Sequence, residues 1–119
     1  MFGMRIFRAA LLIAWVVTIW VSVRAILAMG AGAAGDVFLG DFAHPWRAQF
    51  NTDFSIHLLL MAAWIVCRER RLVGIPFGLA AIVFGGAFSF AYVFVATLTA
   101  QDDVRRLLLG NRAAAQLNA

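Results

Sequence analysis

The sequence predicts an all-α integral membrane protein with three transmembrane helices and a short interfacial C-terminal tail, forming one membrane domain over residues 1–119. Between Leu72 and Ala100 the chain runs 29 residues without Asp, Glu, Lys, Arg or His, whereas about 20 helical residues cross a bilayer core. Two shorter apolar runs precede this one. The chain is 64% hydrophobic and 13% charged, while about 25% of the residues in a soluble domain are charged.

The first predicted helix covers about residues 9–29 and follows two arginines, Arg5 and Arg8. A basic start, an apolar run and the small residues at 31–33 are also typical of a cleaved secretory signal. We expect a retained helix, because the apolar run approaches the length needed to span a bilayer. Repeated glycine from Gly30 onward ends it.

Residues 36–51 are predicted to form an ordered interfacial loop. Pro45 disfavours helical geometry at His44. Trp46 is an aromatic residue of the kind that is enriched at the headgroup level of membranes.

The second predicted helix covers about residues 51–69, since Asn51, Thr52 and Asp53 are all competent helix N-caps. It ends at the charged segment 68–71. The third predicted helix covers residues 75–99, with Pro76 in its first turn, where proline is well tolerated. A helix of that length must tilt or protrude from the bilayer.

The tail, residues 101–119, is predicted to form an interfacial amphipathic turn, with a solvated tail as the alternative. Three apolar residues fall on one helical face: Val104, Leu107 and Leu108. Three spans put the two ends of the chain on opposite sides of the membrane, with five arginines on each side. Because the first helix and short loops weigh most in orientation, we expect a cytoplasmic N-terminus and an outside C-terminus in a bacterial inner membrane.

Asp53 and His57 lie four residues apart and therefore share a helix face. A carboxylate one turn before an imidazole can fix the tautomer of the ring and raise its basicity. His57 is a candidate cofactor-binding residue, for a haem or chlorophyll-type metal, or else it forms a hydrogen bond within the helix bundle. The sequence predicts no catalytic residue and no metal-ligand cluster, and it leaves the cofactor unknown.

Six polar residues are expected near the outer leaflet and can form one cluster: Arg24, Asp36, Asp41, Arg47, Asp53 and His57. Such a cluster either binds an ion or polar ligand or locks the loop in place, and we favour the lock. Ionisable side chains close to lipid are costly, which makes them candidates for function.

Small residues form stripes that allow helix backbones to approach closely in lipid. In the first helix these are Ala14, Thr18, Ser22 and Ala25; in the third they are Gly78, Ala81, Gly85 and Ser89, with Gly86 adjacent. The Gly74–Gly78 pair matches a dimerisation motif, but we discount it because Pro76 lies inside it.

Composition also excludes several classes. All ten basic residues are arginine, and none forms a basic patch interleaved with aromatics, so nucleic-acid binding is not predicted. No soluble substrate is evident. A single cysteine, Cys67, excludes an internal disulfide, and we expect it to serve packing.

The segment from Pro45 to Asp53, with Trp64 and the Arg68–Glu69 pair after it, resembles a pattern in small uncharacterised bacterial multi-helix membrane proteins. Later features are similar to that family as well: the Gly85–Gly86 pair, Tyr92 and the segment 103–110. The resemblance covers about residues 36–110. It implies a multi-helix membrane fold and no particular substrate.

Two functions are compatible with these features. The chain is either an accessory subunit that packs through its helices against a larger membrane complex, or a small homo-oligomeric enzyme or ligand- or pigment-binding protein. The second function would use the Asp53, His57 and Arg24 side chains. The expected partners are lipid and other membrane subunits.

Overall fold

Helices make up almost all of the described chain. The computed structural model describes residues 2–110. Its elements in order are α1 (Phe2–Met29), α2 (Ala33–Gly40), a 3₁₀ turn (Asp41–Ala43), α3 (Pro45–Arg68), α4 (Arg71–Phe84), α5 (Gly86–Thr99) and α6 (Val104–Leu109). The predicted all-α class is confirmed.

Two of these helices, α1 and α3, are long and apolar enough to cross a membrane. They contain 28 and 24 residues, which corresponds to about 42 and 36 Å at 1.5 Å per residue. The helices α4 and α5 contain 14 residues each, or about 21 Å. Each of these two reaches only about half as far as α1.

The predicted interfacial loop over residues 36–51 is wrong, because α2, the 3₁₀ turn and the first turns of α3 occupy it. Pro45 opens α3, and His44 before it is extended, with φ −100° and ψ 122°. Proline restricts the preceding residue to this region while fitting the first helical turn itself. Asn51 and Asp53 therefore lie inside α3, and the expected N-cap at these residues is also wrong.

The predicted continuous third helix, residues 75–99, is wrong as well. The chain is helical from Arg71, with Pro76 inside α4, and it reverses at Gly85, whose φ is 59° and ψ −133°. Only glycine adopts such a backbone conformation at little cost.

Aromatic contacts across the turn show that α4 and α5 form an antiparallel hairpin. The ring centroids of Phe77 and Tyr92 are 6.0 Å apart, and those of Phe77 and Phe88 are 5.7 Å apart. A continuous helix would separate Phe77 from Tyr92 by about 22 Å along its axis.

The hairpin can be measured directly with spin labels at Leu72 and Leu98, both exposed, after Cys67→Ser removes the natural thiol. A continuous helix would place these positions about 39 Å apart. We expect less than half of that distance by pulsed electron paramagnetic resonance. A control pair at Phe2 and Ala28, equally spaced within the continuous α1, should show the long distance. A long distance for both pairs would contradict the hairpin.

The hairpin is held between the two long helices, with α4 packed mainly on α3 and α5 mainly on α1. A Cβ on Gly74 would lie 3.1 Å from the Val66 Cα and 3.2 Å from the Val66 carbonyl oxygen. On the other side, the Trp15 indole donates to the Ala87 carbonyl at 2.8 Å. Close backbone approach therefore fixes α4 on α3, and a half-buried indole hydrogen bond links α5 to α1.

Both ends of the described chain lie at the same end of the bundle. Arg8 in α1 forms an ion pair of 2.9 Å with Asp102, which follows α5. The hairpin adds a chain reversal that three continuous helices lack, so the two described ends meet at one end of the bundle. The expected placement of the ends on opposite sides of a membrane stays a prediction.

The predicted amphipathic turn in the tail corresponds to α6. Asp103 caps it by accepting from the Arg105 backbone N–H at 2.9 Å, and Leu107 is buried against the bundle. Burial of Leu107 docks this part of the tail onto the protein rather than leaving it in solvent. The remainder of the predicted tail, residues 111–119, lies outside the described residues.

Candidate functional site

We consider two features of the described chain, one a cluster of polar groups and the other a groove. The first, which we name the Arg68 cluster, consists of Trp64, Arg68, Glu69 and Tyr92 together with the backbone of α6. The second is a groove at the opposite end of the bundle. Each is built by elements that are distant in sequence.

Arg68 is the centre of the first feature. It lies at the last turn of α3 and is only 8% exposed. Its Nε donates to the Leu107 carbonyl at 2.7 Å, and one terminal nitrogen donates to Glu69 at 2.7 Å and to the Tyr92 hydroxyl at 3.1 Å. A buried guanidinium is tolerated only when its charge and its donors are matched in this way.

The other members complete a closed network. The Tyr92 hydroxyl donates to the Glu69 carboxylate at 2.6 Å, and the Trp64 indole donates to the Leu108 carbonyl at 3.1 Å. The Arg68 guanidinium carbon lies 6.0 Å and 5.7 Å from the ring centroids of Trp64 and Tyr92, within the range of cation–π attraction. The cluster thereby joins α3, α5 and α6.

A second arginine makes a similar connection beside this cluster. The Arg8 Nε donates to the Thr97 hydroxyl at 3.1 Å, and a terminal nitrogen donates to the Thr97 carbonyl at 2.7 Å. That nitrogen also pairs with Asp102, which has a left-handed φ of 65°. Arg8 therefore fastens α1 to the end of α5.

These contacts join the helices to one another. The Glu69 carboxylate faces an internal guanidinium and a phenol, and no serine, cysteine or histidine hydrogen-bonds to it among residues 2–110. A nucleophile beside a base is the minimum for covalent catalysis. The Arg68 cluster fits a structural lock.

The polar outer cluster predicted from the sequence divides into separate local contacts. Arg47 pairs with Asp41 at 3.5 Å. Arg24 lies over the Trp20 ring, 5.0 Å from its centroid, and within the described chain no ion pair joins Arg24 to an acidic residue. Asp36 lies in the first turn of α2. The structure thus does not bring these residues together around one ligand.

His57 and Asp53 lie on the exposed surface of α3. The His57 Nδ1 is 2.7 Å from the Asp53 carbonyl and 3.3 Å from its carboxylate, and the two side chains are 69% and 61% exposed. In the part of the chain that the structure describes, no group of three histidine, cysteine or acidic residues could hold a metal ion. One exposed imidazole bonded within its own helix offers no enclosed cofactor site.

The small-residue stripes are placed unequally. Gly78, Ala81, Gly85 and Ser89 are all buried, whereas Ala14, Thr18 and Ser22 are half-buried and Ala25 is exposed. A Cβ on Gly78 would lie 3.1 Å from the Val66 side chain. Gly74, which the motif argument discounts, has still tighter contacts with the α3 backbone. Cys67 is exposed rather than packed.

The groove has a volume of about 640 Å³ and is open rather than enclosed. One wall is the second half of α1, from Ser22 to Gly30, and the other is α2 together with Asp41 and Asn51. Its floor is the tip of the hairpin, formed by Val83, Phe84 and Ala87. The groove exists because α4 and α5 stop about halfway along α1.

Reasoning from hydropathy missed the Arg68 cluster, since Arg68 counts there only as a helix-ending charge. The residues that carry the family resemblance contain the signal. Trp64, Arg68, Glu69 and Tyr92 are scattered in sequence, yet the structure brings them into one network with the 103–110 segment. No protein-family model, curated protein or solved structure matches the chain.

Proposed function

We propose that this chain is an integral membrane protein with two spanning helices and a hairpin that enters half the bilayer. Two properties of α1 and α3 support this placement: each helix is long enough to cross a bilayer, and most of its apolar surface is exposed. Of the most apolar stretch of each helix, only 6% in α1 and 11% in α3 is buried inside the protein. A core helix of a soluble protein would be mostly buried, and apolar surface of this extent requires lipid or a partner.

A secretory signal near an N-terminus shares the length and apolarity of α1. The contacts of α1 favour a retained helix. Trp15 and Arg8 hydrogen-bond to α5, and Met4 packs in one buried cluster with Ala96, Ala100 and Leu107. Removal of α1 would expose these partners.

Arginine placement supports one orientation of this arrangement. At the end of the bundle that carries the Arg68 cluster lie seven arginines: Arg5, Arg8, Arg68, Arg70, Arg71, Arg105 and Arg106. Arg24 and Arg47 lie toward the other end. Positively charged residues accumulate on the cytoplasmic side of membrane proteins. We therefore assign the Arg68 cluster and both described ends to the cytoplasm, in the bacterial inner membrane that the family resemblance implies.

Cysteine labelling tests this orientation in a Cys67→Ser background. Single cysteines at Leu39, Leu72 and Val104 are all at exposed positions. In intact cells an impermeant maleimide should label position 39 alone, and positions 72 and 104 should react only after permeabilisation. Three continuous spans would instead put positions 72 and 104 on opposite sides. Labelling of position 104 together with position 39 would contradict the proposal.

Within this arrangement we propose that the chain is an accessory subunit that packs through α1 against a larger membrane complex. One observation carries the proposal. Four large apolar residues recur every seven positions along α1, and all are exposed: Ile6 (55%), Ile13 (65%), Trp20 (58%) and Leu27 (82%). Seven residues make close to two helical turns, so these side chains form one stripe, the spacing with which helices pack on one another.

The alternative function, ligand or pigment binding, would need Arg24, Asp53 and His57 around one site. The structure gives Arg24 a contact with Trp20, and it gives His57 a contact with its own helix. Because these contacts are separate, the accessory role is better supported.

Native electrophoresis after mild solubilisation tests the accessory role. We expect the wild type to migrate in a large hetero-complex, and a variant with Ile13→Ala and Trp20→Ala to be released from it. A matched control with Ile56→Ala and Leu60→Ala alters two equally exposed residues on α3 and should stay in the complex. A small homo-oligomer for the wild type would contradict the accessory role.

A further inference from the structure

We propose that the groove above the hairpin tip binds one acyl chain of a membrane phospholipid, an inference that rests on the proposed placement in a bilayer. The hairpin fills the space between α1 and α3 only up to Gly85. Above that point the groove is open between α1, α2 and the start of α3. A space of this kind lies at the depth where lipid chains surround the protein.

The distribution of polarity along the groove matches that of a lipid. Its walls and floor are mostly alanine, isoleucine, valine and phenylalanine. Of its three polar side chains, Ser22 on the α1 wall donates to the Thr18 carbonyl of its own helix, and Asp41 and Asn51 lie on the opposite wall. Arg47 lies outside the lining, is 63% exposed at its side chain and pairs with Asp41 at 3.5 Å, so it brings a cation next to this wall, where a phosphate would lie. An apolar chain with a charged head fits both parts.

The groove offers few hydrogen-bond partners to water, and leaving it empty would cost dispersion contacts. Buried water needs several polar partners, and the Asn51 amide already donates to the Phe38 carbonyl at 3.2 Å. An unfilled apolar wall loses its dispersion contacts. The volume of about 640 Å³ lies within the range of pockets that hold apolar ligands, about 300–1,000 Å³.

The inference can be tested by photo-crosslinking in phosphatidylcholine vesicles that contain a small fraction of phosphatidylcholine with a diazirine in one acyl chain. Adducts mapped by mass spectrometry should concentrate on residues 22–38 and 83–87, above the level on the exposed stripe of α1. Filling the groove with Ala25→Phe and Ala34→Phe, both at exposed positions, should reduce groove adducts several-fold. Ala28→Phe, at an exposed position outside the groove lining, should leave them unchanged.

Three other results are possible, and each would refute either the membrane placement or the lipid site. Loss of the wild-type protein from vesicles in an alkaline wash would refute the membrane placement itself. Retention in the vesicles with adducts spread evenly around α1, or with groove adducts unaffected by filling, would refute the lipid site. Crosslinks between two copies through residues 22–38 would identify a second copy of the chain as the occupant and would also refute the lipid site.

Discussion

Arg68→Ala should lower the free energy of unfolding by about 3–5 kcal/mol, the cost of breaking a buried ion pair from one side. The substitution removes the donor to the Leu107 carbonyl and the counter-charge of Glu69. Of the two hydrogen bonds described between α3 and α6, it leaves only the one from the Trp64 indole to the Leu108 carbonyl. Titration with a denaturing detergent, followed by tryptophan fluorescence, measures the change.

Arg5→Ala is the matched control, because Arg5 is exposed on the first turns of α1. A change in an exposed charge should alter stability by less than about 1 kcal/mol. Arg68→Lys should rescue only in part, since one ammonium group cannot reproduce the planar fork of a guanidinium. Equal stability of the Arg68 and Arg5 variants would show that the cluster does not lock the bundle.

Gly74→Leu should destabilise the protein by about 3 kcal/mol, at the upper end of the usual cost of overpacking. The nearest atoms to the new Cβ would be the Val66 Cα and carbonyl oxygen. Backbone atoms cannot move aside as a flexible side chain can, so α4 must separate from α3. The same detergent titration measures the loss.

Gly35→Leu provides the control for this prediction. Gly35 also lies within a helix, α2, but a Cβ there would meet nothing within 4 Å. In an exposed helix, replacing glycine by a better helix former gains about 0.5–1 kcal/mol, so the two variants should change stability in opposite directions. A similar loss of stability in both variants would mean that the close contact between Gly74 and Val66 does not cause the effect at position 74.

The sequence was sufficient to predict the helical class and several helix ends. Gly30 follows the last residue of α1, and Arg68 is the last residue of α3, because glycine and clustered charge act locally. The predicted start of α3, residue 51, lies six residues after the observed start at Pro45, because residues 51–53 are all good N-caps and favour a start there. An N-cap preference indicates that a helix can begin at a residue. It does not exclude that the helix begins earlier, as α3 does at Pro45.

The reversal at Gly85 could not be read from hydropathy, because both halves of the 72–100 run are equally apolar. In the sequence the Gly85–Gly86 pair predicts a packing surface, and nothing in the neighbouring residues distinguishes a packing glycine from a turn glycine. The Arg68 cluster depends on this reversal, since it brings Tyr92 back to Arg68. If residues 75–99 formed one continuous helix, Tyr92 would therefore lie far from Arg68 and Glu69.

The ion pair and hydrogen bonds of Arg8 have a consequence for the order of events during synthesis. Arg8 leaves the ribosome before its partner Thr97, which follows 89 positions later. At typical translation rates of about 5–20 residues per second, α1 waits about 4–18 s before α5 exists. Throughout that interval the face of α1 that will contact α5 is uncovered, so other helices can bind it until α5 displaces them.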